Sequence, residues 1–153
     1  LSDDKHIHLT IKSVASALSV ILLLIIGGSL TMSLIEATFN IGERFGYFYY
    51  WVVMMGIAIM LVCIPNGMMI IHGLKFFSQV NMYNCYFQLA TALVLFKTGP
   101  VWLYISLSNV AIPLLCFFLL RGKSYKNFVE FYYVLQTNRR LERKRLKELT
   151  KQR

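Results

Sequence analysis

The pattern of hydropathy and charge predicts an all-α polytopic membrane protein: a four-transmembrane-helix bundle followed by a basic amphipathic helix on the cytoplasmic side. Three observations carry that expectation. The 153 residues are 57% hydrophobic and only 15% charged, with mean hydropathy +0.57, too apolar for an ordinary water-soluble domain. Four stretches, each long enough to cross a hydrocarbon layer of about 30 Å, follow one another with short polar links. The formal net charge of +9 is concentrated, because eleven Lys or Arg and only three Glu lie from Arg121 onward.

Residues 1–12 form a polar lead with Asp3, Asp4, Lys5, His6 and His8. The two histidines are two apart, so only an extended segment turns both toward one ligand, and no Cys or third His lies nearby to complete a metal site. The first span covers about 13–35. It lacks the short apolar region and small-x-small cleavage site of a signal peptide and is expected to be retained. Ser29, Ser33 and Ala37, with Ala15 and Ser19, recur every fourth residue around Gly27-Gly28, a spacing that lets membrane helices approach closely.

A short link with Glu36, Glu43 and Arg44 leads to Tyr47-Phe48-Tyr49-Tyr50-Trp51, whose amphipathic rings suit a water–lipid boundary. The second span, about 47–74, is longer than a straight crossing needs. Pro65-Asn66-Gly67 lies within it: Pro65 lacks an amide hydrogen and Asn66-Gly67 tolerates a turn, so a kink or break is expected there.

The third span, about 76–96, is uncharged yet polar. Ser78, Asn81, Asn84, Gln88 and Thr91 recur at steps of three and four and share one helix face. Such a seam must find hydrogen-bond partners in hydrocarbon. The tight link Lys97-Thr98-Gly99-Pro100 makes the fourth span, about 99–120, an antiparallel neighbour. Pro113 within it frees the carbonyl of Asn109, and a bond from Asn84 or Gln88 to Ser106, Asn109 or that carbonyl is the expected use of the seam.

Residues 121–153 change character. Phe128, Phe131, Tyr132 and Leu135 give a helical apolar stripe, after which Arg139, Arg140, Arg143, Lys144 and Arg145 dominate. The tail is expected to leave the membrane and to touch anionic lipid headgroups or an acidic partner. Counting basic residues beside the spans puts both termini on the cytoplasmic side of a plasma or bacterial inner membrane.

Much chemistry is missing. No charged residue lies deep in a span, and there is no Walker loop, HExxH, GxSxG or pair of catalytic carboxylates. Cys63, Cys85 and Cys116 sit singly in three apolar runs; the one buried nucleophile–base pairing to consider joins Cys85 or Cys116 to His72. No enzyme activity, metal or cofactor is expected, and no nucleic-acid partner. The expectation is an interaction protein that contacts another integral membrane protein through Ser78, Asn81, Asn84, Gln88, Thr91 and Asn109, with the tail arginines as a second contact and homo-oligomerisation left open. A small transporter or channel lined by the seam, or an accessory subunit of a larger complex, are the alternatives. In length and span count over the whole chain, the plan is similar to that of small bacterial inner-membrane exclusion and immunity proteins, which implies function by blocking an intruding membrane protein.

Overall fold

The computed structural model describes residues 8–151, and every regular element among them is a helix. α1 (Ile11–Phe39) starts where Thr10 Oγ1 accepts from the Ser13 amide at 3.2 Å and ends at Asn40, whose φ of 49° turns the chain. The link holds the one-turn helix α2 (Ile41–Phe45), which the Glu36 carboxylate caps by accepting from the Gly42 amide. α3 (Tyr47–Ala58), a widened π turn (Ile59–Cys63) and α4 (Ile64–His72) form one unbroken run. α5 (Phe76–Val94) and α6 (Pro100–Arg121) follow, and α7 (Lys123–Lys151) closes the chain.

Three helical segments, Ile11–Phe39, Tyr47–His72 and Val101–Arg121, are long and apolar enough to cross a membrane, as a membrane protein requires. α5, the third expected span, has the length but not the hydropathy, because Ser78, Gln79, Asn81, Asn84 and Gln88 dilute its apolar residues.

α6 is the hub, packed most extensively against α1 and α5. In α1 the buried residues are Ser13, Ala17, Val20, Leu24, Gly27, Thr31 and Leu34, and in α6 Ser106, Asn109, Pro113, Cys116 and Leu120. Steps of three and four alternate in both, giving the 3.5-residue period of helices that cross at a shallow angle. This is not the stripe expected from sequence. Ser29 and Ser33 face outward, each bonding a carbonyl of its own helix at 3.0 Å, and Ala15 is exposed too.

Two further expectations meet the structure differently. Of the kink or break expected at Pro65-Asn66-Gly67, the break does not occur. The π turn just before Pro65, closed by the Ile64 amide on the Ile59 carbonyl, makes room for the proline ring, and the chain stays helical to His72. The turn falls at Gly73 instead (φ 65°), where an added Cβ would stand 2.9 Å from both the Tyr132 carbonyl and Gln136 Cβ. The tail likewise does not simply leave. Its first half folds back on α1, α4 and α6, burying Tyr125, Phe128 and Val129 and half-burying Phe131, Tyr132 and Leu135. Only from Asn138 onward is α7 exposed all round.

Candidate functional site

Amides decide where these helices touch. Asn66 on α4 and Asn81 on α5 form a reciprocal pair: Asn81 Nδ2 donates to Asn66 Oδ1 at 2.9 Å, and Asn66 Nδ2 to Asn81 Oδ1 at 3.2 Å. Asn66 Nδ2 also reaches the Val62 carbonyl at 2.7 Å, and Asn81 Nδ2 reaches the Tyr125 hydroxyl at 3.0 Å. Both asparagines and the tyrosine are buried. Burial pushes the Tyr125 phenol up to about 12, with the Asn81 amide pulling the other way, so it remains a neutral hydroxyl able to accept. Three elements, α4, α5 and α7, are thus joined at one point. Each such bond contributes roughly 0.6 to 2 kcal/mol in a membrane protein, and losing one partner in a dry site costs more than the bond contributes.

Two turns further along α5, Gln88 Nε2 donates to the Leu24 carbonyl of α1 at 3.1 Å and to Asn84 Oδ1 at 3.2 Å. Gln88 Oε1 is buried without a partner. It lies so close to Gly27 that a Cβ there would come within 2.3 Å of it, so glycine is what lets α1 and the glutamine meet. The expected bond from the seam to α6 does not form. Gln88 turns to α1, while Asn109 Nδ2 donates to the Leu30 carbonyl at 3.3 Å and Ser106 binds the backbone of Lys97 as both donor and acceptor. The reason is geometric: α6 presents Ser106 and Asn109 to the α5–α6 link and to α1, leaving the α1 backbone as the acceptor nearest Gln88. Ser78 and Thr91 stay out of the network and bond carbonyls of their own chain turn, Lys75 and Phe87. Asn81, Asn84 and Gln88 are therefore brought together with residues the sequence did not single out as partners: Asn66, Tyr125 and Gly27.

The chain matches no protein-family model, no curated protein and no solved structure.

Two surfaces surround this core. The first is α3, where Tyr50 alone among twelve residues is buried, its hydroxyl donating to the Met32 carbonyl at 2.6 Å. Between α3, α1 and α5 lies a lateral cavity of about 190 Å³, whose walls include Gly28, Ser29, Ala58, Phe87, Asn84 and Gln88. The second is the junction of α4, α5 and α7. There Gln136 Nε2 donates to the Ile70 carbonyl at 3.1 Å and Arg140 to the His72 carbonyl at 2.6 Å, capping the end of α4. Lys75 pairs with Glu130 at 2.5 Å and sits 4.0 Å from the Tyr133 ring. Arg139 and Arg143 line a cleft with His72, while Lys144 and Arg145 are exposed beyond it. His6, half of the considered histidine pair, falls outside the described residues. The Cys–His pairing gains no geometry: Cys85 and Cys116 are buried in the core, Cys116 Sγ lying 3.8 Å from the Val20 carbonyl, whereas His72 is exposed.

Proposed function

We propose that this chain is a four-span membrane protein with both termini cytoplasmic, and that it acts by helix–helix contact with another integral membrane protein. α5 serves as the remaining span. Its amides bond inward to α1, α4 and α7, and its outward positions carry Phe76, Tyr83, Tyr86, Phe87, Leu93 and Val94, a face that lipid tolerates.

The contact surface is the α3 side of the bundle, not the polar seam that the sequence suggested. The observation carrying this reading is the cavity beside α3, with its small wall residues Gly28, Ser29 and Ala58. Small residues admit a helix backbone at close range, which is how membrane helices meet. An activity of exclusion or immunity type is one use of such a surface. The conduit alternative has less in its favour, since the seam amides are engaged with one another and with backbone carbonyls.

The test is co-purification from native membrane in mild detergent. Val53 and Ile57 are exposed one turn apart on α3, Ile57 on the cavity wall; changing both to Ala should lower the yield of the protein that accompanies the wild-type chain, with expression and melting temperature unchanged. An unchanged yield from these variants, or flux through liposomes of the purified chain alone, would overturn the reading.

A further inference from the structure

The docking of α7 creates a cleft of about 630 Å³ that the tail's sequence did not reveal. Its walls include His72 at the end of α4 and Arg139, Arg140 and Arg143 on α7, with Ile71 and Leu135 as apolar flanks, and no Asp or Glu lines it. Among the described residues the ion pair is Lys75 with Glu130, so none of these three guanidinium groups is neutralised by a carboxylate there. Arg139 and Arg143 are four apart on one helix, a like-charge spacing that disfavours the helix unless an anion lies between them. Arg140 is held against the His72 carbonyl by one nitrogen, which fixes its fork at the cleft wall with further N–H groups to offer.

We propose that this cleft is a binding site for a phosphate group, presented by the headgroup of an anionic membrane lipid. Planar guanidinium forks match phosphate oxygens in pairs, and three arginines line this one cleft beside the end of α4. In the membrane orientation proposed above, that end lies at headgroup depth on the cytoplasmic side, and Ile71 and Leu135 flank the start of the acyl chains. The lipid as source rests on that orientation. The phosphate chemistry rests only on the cleft.

The experiment uses the full chain, purified in mild detergent and offered an equimolar mixture of phosphatidylglycerol and phosphatidylcholine, with retained lipid counted by native mass spectrometry. The wild type should retain phosphatidylglycerol preferentially. Arg139→Gln with Arg143→Gln should reduce that preference by about thirtyfold, because each basic group near the headgroups contributes about a factor of five. Lys144→Gln with Arg145→Gln removes the same charge outside the cleft and should leave the preference nearly intact. Inorganic phosphate is then titrated calorimetrically into delipidated protein. If it binds with the same dependence on Arg139 and Arg143 and displaces the lipid, the site reads phosphate from any source; if it does neither, the headgroup in its lipid is what the site reads. Equal loss in the two double variants, or no preference in the wild type, overturns the proposal. Should amide exchange show that the cleft variant has undocked α7, the single substitutions Arg139→Gln and Arg143→Gln are compared in the same assay with Lys144→Gln, and equal effects again overturn it.

Discussion

Of the two halves of the run from Tyr47 to His72, α3 is the more apolar, yet α4 is the better buried. α4 buries Pro65, Asn66 and Met69 within nine residues, tied to α5 and covered by α7. α3 buries Tyr50 alone within twelve and leaves a cavity between itself and α1. Apolar surface cannot account for the difference, because lipid solvates Val and Met as well as a neighbouring helix does. What α4 has and α3 lacks is an amide that must find a partner. In this bundle hydrogen-bonding side chains choose the contacts, and apolar side chains fill the space around them.

That contrast can be broken at several points. Asn81→Leu strands Asn66 and removes a donor to Tyr125, and should lower unfolding stability in detergent by about 2 to 4 kcal/mol, with α7 exchanging its amides faster. Gly27→Val should cost about 1 to 3 kcal/mol by driving into the Gln88 side chain, and Gln88→Ala in the same chain should restore part of that loss. Gly73→Ala meets positive φ and the α7 backbone together. It should cost about 1 to 2 kcal/mol and loosen α7 selectively, read as hydrogen exchange in 125–136. Met55→Ala on the exposed face of α3 should change the melting temperature little, which sharpens the contrast with Asn81. Smallest of all, Glu130→Gln removes an ion pair whose side chains are 43% and 44% exposed, and should cost less than about 1 kcal/mol, vanishing at high salt.

Much of this architecture was legible in the sequence. Helix ends fell within a few residues of expectation because charged and glycine-bearing links punctuate the apolar runs, and the inward turn of Asn81, Asn84 and Gln88 followed from their spacing. Three features were not legible, each for a physical reason. Asn66 beside Pro65 and Gly67 carries a turn signature, and only the π turn upstream lets it stay helical and face α5. The packing face of α1 was hidden because the helix is apolar all round, so Ser29 and Ser33 looked as suitable as Gly27 and Thr31. The return of α7 depends on Tyr125 reaching Asn81 from 44 residues away, and on the Gly73 turn fitting against Tyr132 and Gln136. Neither contact leaves a local pattern.

The account rests on the reciprocal amide pair between α4 and α5. A double-mutant cycle with Asn66→Ala, Asn81→Ala and both together, measured as unfolding free energy in one detergent, addresses it directly. The expected coupling is about 1 to 2 kcal/mol, with the double variant less damaged than the two singles combined. Additivity within about 0.5 kcal/mol would mean that the asparagines do not hold these helices together, and would contradict the account.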